Sequence, residues 1–184
     1  MIRPLCQDDA LLADITAARA QPDQLHMWWL GQSGFLIQWQ GRHLLLDPYL
    51  SDSLTHKYAA TDKPHVRMTD RVIAPARLDF IDVVTSSHNH TDHFDEETLL
   101  PLLAANPALR IVVPAANLTV SATRLDLPPA RLDPVMAGTS LDVRGFTLHG
   151  VPAAHEALDV DEEGRYLYMG YVIQAGPWTI YHSG

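Results

Sequence analysis

The sequence has only one cysteine and no long apolar run, and both absences narrow the kinds of protein it can encode. Cys6 cannot form an internal disulfide, and without a cysteine cluster any metal site must use imidazole and carboxylate groups. No stretch approaches the roughly 18 apolar residues of a membrane-spanning helix, and aspartates interrupt the apolar core that an N-terminal secretory signal would need. These features predict a cytoplasmic protein without a membrane span.

Basic side chains are also scarce. The chain has 13 Lys and Arg against 22 Asp and Glu, which gives a formal net charge of -9. Such a charge repels a phosphate backbone, so no nucleic acid partner is expected. With 184 residues, 47% hydrophobic and 19% charged, the composition is that of an ordinary globular protein, and it predicts a single domain over residues 1–184.

The spacing of apolar residues predicts the elements of the first part of the chain. Helical spacing between residues 11 and 18 indicates a short N-terminal helix. Three strands, over 26–30, 34–39 and 42–47, are separated by glycine-containing turns and therefore predict an antiparallel meander. Residues 51–78 are polar and lack periodicity, which indicates a long surface loop.

Strand and helix patterns alternate in the remainder of the chain, which is typical of layered α/β architecture. After a Pro-rich turn the pattern becomes one of successive strands. The predicted order is a strand at 80–86, a helix at 95–105, a strand at 110–113, a helix at 115–124, a turn at 128–134, and strands near 140–143, 146–151, 166–174 and 178–182.

One loop, SSHNHTDHFD at residues 86–95, concentrates three of the ten histidines between a predicted strand and a predicted helix. In an extended segment His88 and His90 point to the same side, so both imidazoles can face one ion. Asp92 and His93 can hold a second ion about 3.5 to 4 Å from the first. The alternative is a solvated loop in which Asp95 caps the helix, but this leaves the clustered imidazoles unexplained.

The run His88-x-His90-x-Asp92-His93 resembles the HxHxDH signature of the metallo-β-lactamase superfamily. The segments WWLGQSGFLI, LLLDPYLSDS, VPAAHE and YMGYVIQAGPWTIYHSG resemble the branch that includes L-ascorbate 6-phosphate lactonase and the N-acylphosphatidylethanolamine-hydrolysing phospholipase D. The resemblance covers about residues 26–184 and implies an αβ/βα sandwich. The chain would contain mainly the N-terminal half of that sandwich and the first strands of its second half.

The resemblance also implies further site residues. A third histidine of the first metal site corresponds to His155, which follows the predicted strand ending at Val151. Glu156 would orient His155 or would belong to the surface. Asp47 would support the metal-binding loop by hydrogen bonding, unless it only opens a turn before Pro48.

In the family, a bridging aspartate in a Gly-Asp-Thr segment and a later histidine complete the second metal site. This sequence ends at Gly184, one residue before the expected aspartate, so we expect the chain to be C-terminally incomplete and inactive by itself. His182 would either replace a missing ligand or be a structural histidine beside the site.

The resemblance implies a metal-dependent hydrolase that acts on an ester, lactone or phosphodiester bond of a small anionic substrate. Two divalent ions would activate the attacking hydroxide and Asp92 would orient it or take its proton; zinc is expected first, with manganese or iron as alternatives. Arg67 and Arg71 are candidates for binding the anionic substrate. The alternative is that they only belong to a solvated loop. A non-catalytic metal-binding or interaction domain and a metal-dependent nuclease are the other hypotheses, and a homo-oligomer is compatible with all three.

Overall fold

The computed structural model describes the whole chain, from Met1 to Gly184. The helices are α1 (Asp8–Ala18), α2 (Ser53–Tyr58), α3 (Glu96–Ala105) and α4 (Leu118–Arg124). None of them combines the length and the hydrophobicity that a helix needs to cross a membrane. The strands are β1 (His26–Gly31), β2 (Gly34–Trp39), β3 (Arg42–Leu46), β4 (Val83–Thr85), β5 (Arg110–Pro114), β6 (Leu132–Val135), β7 (Ser140–Val143), β8 (Phe146–Pro152), β9 (Met169–Ala175) and β10 (Trp178–His182).

The strands form two sheets. The first sheet has the order β1-β2-β3-β4-β5-β6, and the second has the order β10-β9-β8-β7. The first three strands pair antiparallel, as the predicted meander requires, whereas β3 to β6 pair parallel. The helices α3 and α4 lie in the connections between parallel strands, because a parallel pair needs a long crossover. All pairs of the second sheet are antiparallel.

Two apolar cores lie on the two faces of the first sheet. Leu45 and Val84 point to one face and belong to a cluster of 20 buried residues that includes side chains of α1, α3 and α4. Their neighbours Leu44 and Val83 point to the other face, because successive residues of a strand alternate, and they pack in a cluster of 14 with Phe146 of the second sheet. The layers are therefore helices, first sheet and second sheet, which matches the expected part of an αβ/βα sandwich.

Two elements differ from the sequence prediction. The short helix α2 (Ser53–Tyr58) lies inside the segment predicted as loop, and its single buried residue, Leu54, is too little for a periodic signal. Strand β6 (Leu132–Val135) occupies part of the predicted Pro-rich turn. Pro134 is tolerated there because β6 is an edge strand, where a missing N–H leaves no ladder partner unpaired.

The carboxyl ends of β3 and β4 meet at one edge of the first sheet, because these strands are parallel neighbours. Asp47 directly follows β3, and its amide donates a 3.1 Å hydrogen bond to the carbonyl of Thr85. Residues 86–95 follow β4 and are called the metal loop below. The register of two parallel strands thus brings a carboxylate and a histidine-rich loop together, although about 40 residues separate them in sequence.

Candidate metal centre

Imidazoles from two distant parts of the chain meet at a cavity of about 220 Å³. The ring centroids of His88 and His90 are 4.7 Å apart, and those of His90 and His155 are 5.0 Å apart. His88 and His155 are separated by 6.1 Å. The three rings therefore share one cavity, whereas the ligand atoms that lie within 4.8 Å of one another belong to Asp47, His88 and His93. The cavity is lined by Ser87, His88, His90, Asp92, His93, Ala153, Ala154, His155, Tyr168, Met169, Ser183 and Gly184.

The buried carboxylate of Asp47 organises two of these imidazoles. Its Oδ1 accepts a 3.0 Å hydrogen bond from the Ser87 amide, and its Oδ2 accepts one from the Ser87 hydroxyl. The same Oδ2 lies 2.7 Å from Nδ1 of His93. Because the Ser87 hydroxyl donates to Asp47, its oxygen accepts from Nδ1 of His88 at 2.9 Å. Both rings therefore carry a proton on Nδ1 and keep Nε2 available for a metal.

Asp47 contacts candidate ligands and is also a candidate ligand itself. Asp47, His88 and His93 each have a potential ligand atom within 4.8 Å of the other two. Asp47 is completely buried, however, and both of its oxygens already accept hydrogen bonds. A turn-opening role before Pro48 would leave these bonds unexplained.

The protonation equilibria leave the imidazoles able to bind a cation. Burial, followed by the neighbouring rings of His93 and His90, lowers the pKa of His88 to about 4. Burial also lowers the pKa of His90. Burial acts in the same direction on His93, but the hydrogen bond and charge of Asp47, together with Asp92, outweigh it and raise the His93 pKa. At neutral pH His88 and His90 are therefore neutral bases with free lone pairs.

Asp92 and His93 form the second group of candidate ligands. Nε2 of His93 lies 3.7 Å from Oδ2 of Asp92, and both side chains line the cavity. No Lys or Arg is among the lining residues. A set of imidazoles and one carboxylate, without a competing Lys or Arg side chain, fits a divalent metal such as zinc, manganese or iron.

The segment after β8 contributes His155 to the cavity, but the neighbouring Glu156 does not support His155. His155 is exposed, and its ring centroid is 5.3 Å from that of Tyr168. Glu156 is exposed as well and makes no hydrogen bond with His155. Tyr168, which the sequence analysis did not single out, also lies 5.1 Å from His88 and 6.0 Å from His90. It forms one wall of the cavity, and no local sequence pattern signals that position.

The arginines considered for anion binding lie outside this cavity. Arg67 is 8% exposed and donates to the carbonyls of Ser51 and Thr69, with its guanidinium 5.0 Å from the centre of the Tyr49 ring. It stabilises the loop that follows α2. Arg71 is exposed, and its carbonyl accepts a hydrogen bond from Gln7. Neither side chain is brought to the candidate ligands.

His182, at the end of β10, is a buried neighbour of the centre and does not line the cavity. Its Nε2 lies 3.0 Å from the carbonyl of Ser33, in the turn between β1 and β2. The Ser33 hydroxyl is in turn 3.3 Å from Nδ1 of His93. Nδ1 of His182 is buried without a hydrogen-bond partner. His182 thus connects the second sheet with the turn that packs against His93.

Two other contacts support the metal loop and were not anticipated. The hydroxyl of the buried Tyr171, in β9, donates a 2.9 Å hydrogen bond to the carbonyl of Ser86. The carboxylate of Asp95 accepts from the hydroxyls of Ser53 and Thr98, and not from a backbone amide of α3 as a simple cap would. The contacts of Tyr171 with Ser86 and of Ser53 with Asp95 join residues from different elements, so no pattern within the loop could reveal them.

The fold and the site define a layered α/β protein with a candidate metal centre at the carboxyl edge of parallel strands. The family model described as "Beta-lactamase superfamily domain" matches residues 26–184. The chain therefore belongs to the metallo-β-lactamase superfamily, which confirms the prediction made from the HxHxDH run.

Relatives with a named activity agree with this assignment. The chain is 26% identical over 157 residues to a "UPF0173 metal-dependent hydrolase" of Pyrobaculum neutrophilum, covering 85% of this chain and 59% of the relative. It is 37% identical over 71 residues to the "N-acyl-phosphatidylethanolamine-hydrolyzing phospholipase D, mitochondrial" of Saccharomyces cerevisiae, covering 39% of this chain and 14% of that protein. The chain thus spans less than two thirds of the length of these relatives.

A solved structure shows the same fold. The "possible metal-dependent hydrolase" of Veillonella parvula superimposes with a TM-score of 0.62 at 19% identity, covering 87% of this chain and 61% of that chain. At this level of identity the likeness supports the predicted αβ/βα architecture alone.

Proposed function

We propose that this chain provides the metal-binding part of a hydrolase that cleaves an ester, lactone or phosphodiester bond of a small molecule. The observation that carries the proposal is the meeting of His88, His90 and His155 at one cavity that has no cationic side chain in its lining. The relatives named metal-dependent hydrolase and N-acyl-phosphatidylethanolamine-hydrolyzing phospholipase D support the same reaction class.

The first ion would be held by His88, His90 and His155, and the second by Asp92 and His93 with further ligands. A bound divalent metal supplies the Lewis acidity that lowers the pKa of water from about 15.7 towards about 7 and polarises the bond to be cleaved. Zinc is the metal we propose first, because imidazole and carboxylate ligands without thiolate suit it, and they also accept manganese and iron.

The chain's own residues have separate roles in this proposal. Asp92 is half-buried and lines the cavity, so it is placed to accept the proton of the attacking water. Asp47 and Ser87 fix the Nδ1 protons of the two rings that they contact, which keeps Nε2 of His88 and His93 directed to the cavity. Tyr168 covers the three imidazoles from one side and reduces their contact with water.

The proposed substrate is anionic, and its charge would be recognised at the metal ions. Arg67 and Arg71 lie away from the cavity, so an anionic group would be attracted by the metal ions and not by these arginines. The preference of the protein for anionic over neutral substrates should therefore increase with the amount of bound metal.

The test uses the full-length protein. Elemental analysis and zinc titration give the metal stoichiometry, and hydrolysis of 4-nitrophenyl acetate, γ-butyrolactone and bis(4-nitrophenyl) phosphate gives the reaction class. We expect binding of the first zinc ion to be lost in His88→Ala, and turnover to be lost in Asp92→Asn while the first ion, which Asp92 does not hold, remains bound. Asp62→Asn, at an exposed carboxylate, is the matched control.

A non-catalytic metal-binding domain is the second candidate, and one observation favours it. The ligand atoms that lie within 4.8 Å of one another belong to Asp47, His88 and His93, a set that does not include the proposed proton acceptor Asp92. Tight metal binding with no turnover of any of the three probes would support this second candidate. A full-length protein that binds neither zinc, manganese nor iron would contradict both.

A further inference from the structure

The side of the metal loop opposite Asp47 is held by Arg124, the last residue of α4. Its Nη1 donates a 2.7 Å hydrogen bond to the carbonyl of Asn89 and a 2.8 Å hydrogen bond to the carbonyl of Phe94. The guanidinium carbon also lies 5.7 Å from the centre of the Phe94 ring. One nitrogen atom thus joins two points of the loop that are five residues apart.

These two carbonyls flank the part of the loop that carries most of the candidate ligands. Between them, the amides of His93 and Phe94 both donate to the carbonyl of His90, at 3.0 and 2.8 Å, and form a tight turn. No backbone amide donates to the carbonyls of Asn89 or Phe94. Without Arg124 the base of the turn would have no bond across it.

We propose that Arg124 is a positioning residue for the metal centre, which joins the Asn89 and Phe94 carbonyls and so fixes the turn that presents His90, Asp92 and His93 to the ion. The proposal rests on the metal binding argued above. It assigns a role to a side chain that does not line the cavity and touches only loop backbone and the Phe94 ring.

The physical reason is the small tolerance of metal coordination. Ligand distances must lie within about 0.2 Å of their ideal values. A loop that samples several conformations must be ordered when the metal binds, and the cost of ordering it weakens the affinity for the metal. An arginine suits this task because its planar, permanently charged guanidinium directs two N–H groups of one nitrogen to two acceptors. Charge-assisted hydrogen bonds of this kind are stronger than neutral ones.

Arg124 and Asp47 support the loop in different ways. Asp47 contacts the imidazole of His93 directly, and it reaches His88 through Ser87. Arg124 binds only main-chain carbonyls, so its substitution leaves those ring hydrogen bonds in place. The positive charge of Arg124 also acts on His90, and its removal would by itself lessen the repulsion of a metal cation, so a weaker metal affinity would report the shape of the loop.

The experiment compares Arg124→Gln, Arg124→Lys and the control Arg131→Gln in the full-length protein. Arg131 is exposed in a nearby turn, so its substitution removes the same charge without touching the loop. Zinc affinity is measured by competition with a chelating dye, and the visible absorption of the Co²⁺-loaded proteins reports ligand geometry. Urea unfolding of the metal-free proteins measures any general loss of stability.

We expect Arg124→Gln to bind zinc about 10- to 100-fold more weakly and to change the Co²⁺ spectrum. Arg124→Lys should recover part of both properties, and Arg131→Gln should match the wild type. Unchanged zinc affinity and an unchanged Co²⁺ spectrum in Arg124→Gln would overturn the proposal, even if the variant were less stable to urea. Failure of the wild type to bind metal would instead overturn the proposed function, and this proposal with it.

Discussion

The two segments that bring imidazoles to the cavity are supported to very different degrees. In the metal loop His88 is 7% exposed, and the loop is bonded to β3, to β9 and to α4 through Asp47, Tyr171 and Arg124. In the segment between β8 and β9, His155 is exposed and its imidazole makes no hydrogen bond. One part of the centre is therefore organised by the protein itself, whereas the other part would be ordered by the metal.

The connections explain this difference. The metal loop follows a three-residue strand buried between two cores, so its polar groups must find partners inside the protein. The second segment spans the interval from Pro152 to Met169 on an exposed edge, and hydrogen bonds within it are local, such as those of Asp161 with Arg165. Surface connections of this length have few partners outside themselves.

The largest expected effect comes from a ligand in the organised segment. His88→Ala in the full-length protein should weaken zinc binding by more than about 100-fold, because it removes a proposed ligand and not only its support. His56→Ala, at an exposed imidazole on α2, should bind as the wild type does. Zinc competition titrations measure both variants, and near-normal affinity in His88→Ala would show that the metal loop is not the centre.

Acid should destabilise the metal-free protein through its buried imidazoles. Burial, with the charge of Arg19, lowers the pKa of His43 to about 4, and His88 is lowered in the same direction. An unfolded histidine titrates near 6.5, so between pH 6.5 and 4 the unfolded chain binds protons that the folded chain does not. The contribution of these two imidazoles to the free energy of unfolding should therefore be level above pH 7 and fall as the pH decreases, by on the order of 3 kcal/mol per imidazole at most; His93, whose pKa is raised despite its burial, acts in the opposite direction.

Urea unfolding at a series of pH values between 8 and about 4 measures this dependence. In His43→Gln the fall should become smaller, because one of the buried imidazoles is gone. A free energy of unfolding that stays level across the whole range would contradict the prediction.

Substituting one carboxylate beside each group of candidate ligands compares the two segments directly. Asp47→Asn should weaken zinc binding by about 10- to 100-fold, because an amide cannot accept all of the bonds from Ser87 and His93. Glu156→Gln, beside His155, should leave zinc affinity and stability unchanged, since Glu156 is exposed and makes no hydrogen bond. Equal effects of the two substitutions would remove the distinction between the segments.

The smallest effect tests the connection between the second sheet and the metal loop. Tyr171→Phe leaves the buried carbonyl of Ser86 without its donor and should reduce the free energy of unfolding by about 1 to 3 kcal/mol. Tyr181→Phe, at a side chain that is 60% exposed, is the matched control and should change it little. Urea denaturation measures both, and a Tyr171→Phe variant as stable as the control would mean that this hydrogen bond contributes nothing.

Much of the fold was predictable because its signals are local. The apolar runs in Gly34–Trp39 and Arg42–Leu46, with a glycine turn between, encode the antiparallel pair that the structure shows. The helix α3 and the strands after Ser140 also lie close to their predicted positions. The helix α2 and the strand β6 were missed because tertiary contacts, and not periodicity, stabilise such short elements.

By itself the sequence determined which groups are available to a metal and how four of them are spaced, because His88, His90, Asp92 and His93 lie within one short loop. Only the tertiary structure decided what holds that loop and what lies away from it. Asp47, Tyr171 and Arg124 reach the loop from 30 to 85 positions away, whereas Arg67 and Arg71 lie outside the cavity. The physical reason is that periodicity reports neighbours a few residues apart, whereas strand register and layer packing select partners from anywhere in the chain.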